Sequence, residues 1–158
     1  MTKAQGSIDS KTRVLQLLLS EHSSSRPALA AETGLTRAAI GVVVDELIER
    51  GVVREGGTAV SRGGRPARLL ELVPDAAVAI GASMRESQWS FAAANLHGEV
   101  LDEERSSMPA TDPHSAIKAL LNGYSRLARR LQGKTLLPAL GIGTPGLVDI
   151  HTGRILSA

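Results

Sequence analysis

A basic stretch in the first half of the chain has the residue types that contact nucleic-acid phosphate. Across residues 51–68 only Glu55 opposes four arginines, which are Arg54, Arg62, Arg65 and Arg68. The last three lie in the run RGGRPAR, where glycines let a backbone approach another molecule closely and Pro66 narrows its conformations. An arginine in such a loop can enter a narrow, electronegative, A·T-rich minor groove. A solvated, flexible hairpin that contacts nothing is the alternative interpretation.

The residues before this stretch predict helices. Ser10 is expected to cap a first helix, whose apolar face consists of Val14, Leu15, Leu18 and Leu19. The serines at 23–25 are expected to end it, and Pro27 suits the first turn of a second helix. That helix is expected to end at Thr33, because Gly34 suits the left-handed conformation that closes a helix before a sharp turn. This arrangement is typical of the first half of a helix-turn-helix.

Thr36 is a good N-cap for a third helix. Its apolar positions follow a one-face pattern and are Ile40, Val43, Val44, Leu47 and Ile48. Burial of that face leaves the other side of the first turns exposed, which is the part that a helix-turn-helix places in the major groove. The candidate base-reading residues are therefore Thr36, Arg37, Ala38, Gly41 and Val42. A three-helix bundle without a ligand is the alternative.

The basic stretch follows this helix and lies between two predicted strands, at 52–54 and 67–73. A loop rich in Gly and Arg between two strands, directly after a recognition helix, is a wing. Residues 1–73 are therefore predicted to form a winged helix-turn-helix domain that binds double-stranded DNA. From the wing, the expected contacts come from Arg62, Arg65, Pro66 and Arg68.

The predicted recognition helix is poor in base-reading side chains. Gly41 costs about 1 kcal/mol relative to Ala inside a helix, and Val42 offers only an apolar surface. Direct readout would rest mainly on Thr36 and Arg37, with Ala38 or Val42 against a thymine methyl group. A larger share of the specificity is therefore expected from the wing and from DNA shape.

Residues 74–158 predict a second domain, of mixed α/β class. Strands are expected at 77–83, 88–95 and 98–107, from 136 onward, and in a short pair around Val148 and Ile155. Between them, Asp112 and Pro113 open a helix that reaches Leu131. Three strands, a helix and a further strand predict a sheet with a crossover connection.

Composition limits the remaining chemistry. The chain has no cysteine, which excludes disulfides, thiol catalysis and cysteine-ligated zinc and suits a reducing cytoplasm. It has no run of about 18 apolar residues and no apolar signal core at its start, so a cytoplasmic protein without a membrane partner is expected. The four histidines lack metal-ligand spacing, so neither a metal nor a cofactor is expected.

Three segments carry a resemblance to a known family. They read TRAAIGVVVDELIERGVVREGG from Thr36, SRGGRPARLLELVPDAAVAIG from Ser61 and GIGTPGLVDIHTGRIL from Gly141. From about Ser10 to the end, the chain resembles transcriptional regulators of the ROK family (repressor, open reading frame, kinase). The resemblance implies a winged helix-turn-helix fused to a sugar-kinase-like domain of the actin/hexokinase, ribonuclease H-like ATPase fold. Residues 74–158 would be the first, incomplete part of that domain.

The resemblance also implies that this chain is not an enzyme. In the family's kinases, a turn similar to Asp-x-Gly-Gly-Thr joins the first two strands of this domain and serves the metal–nucleotide site. Here Ser83 takes the Asp position, and Arg85, Glu86 and Ser87 take the Gly-Gly-Thr positions. The carboxylate is missing and Glu86 would repel a phosphate, so a sugar kinase is the disfavoured alternative.

A second family segment falls near the end of the chain. Gly143, Thr144, Pro145 and Gly146 resemble a stretch that lines the family's sugar cleft. The family's catalytic Asp, main sugar contacts and cysteine-rich zinc motif would lie beyond Ala158, so this loop is expected to be structural here. The resemblance implies a repressor of sugar-related genes with a DNA operator, a homodimer and a sugar effector in the full-length form. A truncated, non-inducible DNA-binding fragment is a further alternative.

Overall fold

The first part of the chain combines three helices with a three-stranded sheet, and in the second part strands flank a single long helix. The computed structural model describes residues 9–58, 66–85, 88–107, 112–149 and 151–157. The chain divides into two compact units, Met1–Ala76 (unit 1) and Ala77–Ala158 (unit 2). The domain boundary expected after residue 73 falls just before the short 3-10 helix Pro74–Ala76.

Unit 1 contains α1 (Ser10–Glu21), β1 (Ser23–Ser25), α2 (Arg26–Thr33), α3 (Arg37–Glu49), β2 (Val53–Thr58) and β3 (Arg68–Leu72). The strands form an antiparallel sheet in the order β1-β3-β2. The helices and the sheet enclose a core of aliphatic side chains, of which the most buried are Val14, Leu18, Leu29, Ile40, Val44, Val53, Leu70 and Leu72. Full burial of each Leu or Ile stabilises the fold by about 1.5–3 kcal/mol, and together these contributions hold the helices against the sheet.

Three details of unit 1 differ from the sequence-based expectation. Ser10 does not cap α1: it is the first helical residue, and Asp9 occupies the cap position with extended backbone and no capping side-chain bond. Leu19 is 48% exposed, because the buried side of α1 is centred on Val14 and Leu18. The serines at 23–25 form a strand, in which Ser24 is buried and pairs with Leu70.

Unit 2 contains β4 (Val78–Arg85), β5 (Gln88–Asn95), β6 (Val100–Ser107), α4 (Pro113–Arg130), β7 (Leu136–Gly143), β8 (Leu147–Asp149) and β9 (Arg154–Ser157). The larger sheet has the order β6-β5-β4-β7, and β7 runs parallel to β4, as the crossover helix α4 requires. Strands β8 and β9 form a separate antiparallel pair. These elements confirm the predicted mixed α/β fold class.

One face of the larger sheet packs against α4. The buried residues at this contact are Val78, Ile80, Ala82, Trp89, Phe91, Ala93, Leu127 and Leu131. Trp89 Nε1 donates a hydrogen bond of 3.2 Å to the carbonyl oxygen of Ala116. The helix also lies close to the sheet at Gly123, where an added Cβ atom would lie 2.2 Å from the ring of Phe91. The helix can therefore approach the sheet this closely only with glycine at that position.

No single helix in the described ranges is long and apolar enough to cross a membrane. Helices α2 and α3 satisfy the length and composition criterion only when taken together, across a bend of 117°. Their apolar residues Leu29, Ile40 and Val44 belong to the core of unit 1.

Ion pairs fasten α4 to β6 at the edge of the sheet. Arg130 Nε lies 2.7 Å from Asp102 and its Nη1 2.7 Å from Glu104, while Arg126 Nε lies 2.9 Å from Glu104. Hydrogen bonds from Arg130 and then from Arg126 lower the pKa of Glu104 below its ordinary value of 4.5. A hydrogen bond from Arg130 likewise lowers the pKa of Asp102. The two carboxylates therefore favour the folded state while they are ionised.

Replacing Arg130 by Gln is expected to destabilise unit 2 at neutral pH, with the difference from the unsubstituted chain shrinking in acid. A carboxyl group whose pKa is lowered by folding stabilises the fold above its ordinary pKa, and this contribution is lost as the pH falls through the lowered value. The difference in the free energy of unfolding is measured by urea unfolding at several pH values, with the fluorescence of Trp89, the only tryptophan, as the signal. The control is Arg129→Gln on the exposed side of α4, and a loss that is the same at every pH would contradict the ion-pair origin.

Candidate nucleic-acid interface

Helices α2 and α3 have the geometry of a helix-turn-helix. Only Gly34, Leu35 and Thr36 separate them, and their axes turn by 117°. Gly34 has a left-handed φ of 70°, and its N–H donates to the carbonyl oxygen of Ala30 at 3.1 Å. Thr36 caps α3 through its Oγ1, which accepts a hydrogen bond of 3.2 Å from the Ala39 N–H. The predicted turn and the predicted cap are both confirmed.

The face of α3 that is turned away from the core carries the residues predicted to read DNA. Ile40, Val44 and Leu47 are buried on the other side, as the spacing predicted. Thr36, Arg37 and Ala38 are exposed, Val42 is 70% exposed and Gly41 is half-buried. The first turns of α3 therefore present a continuous surface, in which Arg37 is the charged side chain.

Replacing Gly41 by Ala is expected to raise the free energy of unfolding by about 0.5–1 kcal/mol, because alanine is the better helix former and the space around this position is open. Thermal unfolding followed by circular dichroism measures the change. The matched control is Gly34→Ala, which also meets no atom within 4 Å but has a φ of +70°. It is expected to destabilise the chain, since an L-residue is strained there. If Gly41→Ala and Gly34→Ala changed the free energy of unfolding in the same direction, the explanation would be wrong.

Strands β2 and β3 form the stem of the predicted wing. They pair in antiparallel register from Val53 with Leu72 to Thr58 with Arg68. Pro66 is exposed, and Arg68 is 73% exposed and lies 2.7 Å from a carboxylate oxygen of Glu55. Arg62 and Arg65 fall outside the described residues, so their contacts with a minor groove stay a prediction.

Arg26 is a cationic residue of this surface that the sequence reasoning missed. It is the first residue of α2, lies 2.9 Å from Asp45 on α3, and lines a cleft of about 260 Å³ together with Pro27 and Arg37. In a helix-turn-helix the first of the two helices crosses the DNA backbone. The position of Arg26 at the start of the first of these helices was the signal in the sequence that could have indicated a DNA contact.

The segment predicted as a remnant of a sugar cleft lies in unit 2, at the carboxyl ends of two parallel strands. Gly143 ends β7 and is paired in register with Ser83 of β4. A cavity of about 440 Å³ is lined by Ser83, Met84, Arg85, Gly143, Thr144 and Pro145. Gly146 has a left-handed φ of 94°. Oγ1 of Thr144 is buried with no hydrogen-bond partner among the described residues.

The same edge of the sheet holds the segment that would be a phosphate turn in a kinase. Ser83, at the position of the kinase carboxylate, is exposed on β4, and Arg85 ends that strand. Glu86 and Ser87 fall outside the described residues. Within the described ranges, His, Cys, Asp and Glu side chains form no group of three or more that could hold a metal ion.

The comparisons with known proteins agree with this geometry. No family model matches the chain. The xylose repressor of Caldicellulosiruptor bescii is 29% identical over 150 residues, which are 94% of this chain and 38% of that protein. The DNA-binding transcriptional dual regulator NagC of Escherichia coli K12 is 31% identical over 134 residues, 83% of this chain and 32% of that protein. The chain thus spans well under half the length of the curated relatives it matches.

A solved structure extends the match to three dimensions. The crystal structure of a ROK family transcriptional regulator, a homologue of the Escherichia coli MLC protein, superposes with a TM-score of 0.70 at 26% identity. The superposition covers 94% of this chain and 38% of that one. The match therefore extends over both units, from the helix-turn-helix of α2 and α3 to the sheet of unit 2. The chain belongs to the ROK family of transcriptional regulators, and its relatives named here are repressors or regulators rather than kinases.

Proposed function

We propose that this chain is a sequence-specific DNA-binding transcriptional regulator, acting as a repressor of sugar-related genes. The observation that carries the proposal is the start of α3, where the cap residue Thr36 and the helical residues Arg37, Ala38 and Val42 are exposed to solvent in a helix-turn-helix geometry. A helix presented in this way fits the major groove, where an arginine can contact a guanine edge and apolar groups a thymine methyl. We also propose that the protein is located in the cytoplasm, together with the DNA that it binds.

The relatives support the regulatory part of the proposal. Some are named as xylose repressors and others as N-acetylglucosamine repressors. Because these names refer to different sugars, the proposal extends to a sugar effector as a class and to no particular sugar. A homodimer on the operator belongs to the same proposal. We further propose that the chain has no sugar-kinase activity, since Ser83 supplies a hydroxyl where the kinase turn supplies a carboxylate.

The test is a selection of duplexes from a random-sequence pool by the full chain. The winning duplex and a scrambled version of it are then compared by fluorescence anisotropy. We expect a recurrent sequence to emerge and to bind about a thousandfold more tightly than the scrambled duplex. This ratio is at the lower end of the range between specific and non-specific affinities of DNA-binding proteins. A pool that stays random after repeated rounds would contradict sequence-specific binding.

Replacing Arg65 by Ala is expected to weaken binding to a site with an A·T-rich segment beside the recognition-helix contact. A site whose same segment is G·C-rich is expected to be affected much less. The reason is that A·T-rich tracts have a narrow minor groove whose negative potential attracts arginine. Anisotropy on the two matched duplexes measures the difference. Equal losses on both would mean that Arg65 only neutralises phosphate.

A further inference from the structure

Four charged side chains connect the helices of unit 1 to the stem of its wing. Arg26 at the start of α2 lies 2.9 Å from Oδ1 of Asp45 on α3 and 3.6 Å from Oε1 of Glu55 on β2. The other carboxylate oxygen of Glu55 accepts a hydrogen bond of 2.7 Å from Arg68 on β3. The four residues alternate in sign, so the cluster carries two positive and two negative charges and has no net charge.

This cluster lies on the side of the β2–β3 hairpin that faces the helices. Glu55 pairs in register with Leu70, which is fully buried in the core. Arg68 shares the face of Leu70, because alternate residues of a strand point the same way. Arg54 and Glu71 form an ion pair of 2.9 Å on the opposite face of the same hairpin. The hairpin thus has one acid–arginine contact toward the helices and a comparable one away from them.

A phosphate group has access to the arginines of the cluster. The side chain of Arg26 is 36% exposed and that of Arg68 is 73% exposed. Beside Arg26, the cleft shared with Pro27 and Arg37 reaches the exposed start of α3. Ion pairs at such exposures contribute little to stability, so a phosphate of DNA can replace a carboxylate on either guanidinium.

We propose that Glu55 competes with DNA phosphate for Arg26 and Arg68, and thereby sets the strength of sequence-independent binding. The inference rests on the proposed DNA binding. Each phosphate that takes the place of the carboxylate forms one ion pair with an arginine and breaks another, so its net contribution to affinity is small. Binding to DNA of unrelated sequence depends almost wholly on such phosphate contacts. The competition by Glu55 therefore lowers the affinity for unrelated DNA more than the affinity for the operator. Asp45 acts on Arg26 in the same way, from α3.

The test measures the affinity of the full chain for a short duplex of unrelated sequence between about 50 and about 200 mM salt. Glu55→Gln is expected to bind this duplex about fivefold more tightly at the lower salt, with a salt slope steeper by about 0.9 for each additional phosphate that the protein neutralises. Glu71→Gln is the matched control, because it removes the same charge from the opposite face of the hairpin. It is expected to raise the affinity much less.

Asp45→Asn supplies a second variant, since Asp45 is 69% exposed and its replacement leaves the core untouched. It is expected to raise the affinity for the unrelated duplex in the same direction. Unchanged or weaker binding by Glu55→Gln and Asp45→Asn, or an equal increase from Glu71→Gln, would overturn the proposal while leaving DNA binding intact. An unsubstituted chain that binds no duplex would instead remove the proposed function itself.

Discussion

Replacing Arg37 by Ala is expected to weaken binding to the selected operator about 10- to 100-fold, a loss of roughly 1–3 kcal/mol. Arg37 is exposed in the first turn of α3, and it is the charged side chain on the surface that the helix presents. The side chains of Ala38 and Val42 have no polar group, Gly41 has no side chain, and Oγ1 of Thr36 already caps α3, so none of these residues matches the contact of a guanidinium with a base edge. The loss is expected to be larger for the operator than for a scrambled duplex.

The matched control for Arg37 lies at the other end of the same helix. Arg50 is 65% exposed and forms an ion pair of 2.7 Å with Glu46. Arg50→Ala removes the same charge at the C-cap of α3 and is expected to change the operator affinity by less than about 0.5 kcal/mol. Anisotropy titrations of both variants on the operator and on the scrambled duplex measure the four affinities. Equal losses for the two variants would show that α3 contributes only net charge.

Replacing Gly123 by Ala is expected to destabilise unit 2 by about 1–3 kcal/mol, although alanine is the better helix former by about 1 kcal/mol. The added Cβ atom would lie 2.2 Å from Cε2 of Phe91, which is only 2% exposed and is packed in the core between the sheet and α4. The helix must therefore shift away from the sheet. Urea unfolding followed by the fluorescence of Trp89, which lies in the same sheet face, measures the loss.

A double-mutant cycle isolates this contact. Phe91→Leu alone is expected to destabilise unit 2, because it removes volume from a packed core. In the Gly123→Ala background the same substitution is expected to cost less, since a smaller side chain at position 91 makes room for the methyl group. Additive effects of the two changes, or a Gly123→Ala chain as stable as the original, would contradict the packing described here.

Local signals predicted much of the fold. In α3 the cap Thr36, the apolar spacing and the exposed first turns follow from nearby residues alone, and so does the left-handed turn at Gly34. Asp112 and Pro113 predicted the start of α4 for the same reason, and the Asp112 carboxylate accepts a hydrogen bond of 2.9 Å from the Ser115 N–H. Helix ends and the apolar faces of helices depend on interactions between residues that are close along the chain, so they can be predicted from the sequence alone.

Features that depend on distant partners were not predicted. The serines of β1 form a strand because β3 lies beside them, and their own composition suggests a linker. Ile117 and Leu121 have the helical spacing of a buried face but are 55% and 57% exposed, since the contact with the sheet is centred on Gly123 and Leu127. Arg26 was missed because its partners on α3 and β2 are remote along the chain.

The salt dependence of duplex binding by the full chain tests the central claim most directly. A helix-turn-helix with a basic wing must bind DNA largely through phosphate contacts, and each contact releases counterions. Between about 50 and about 200 mM salt we predict that the affinity for the selected operator falls by about a hundredfold, as expected for about four phosphate contacts. An affinity that is unchanged across this range, or the absence of binding at the lower salt, would contradict the claim.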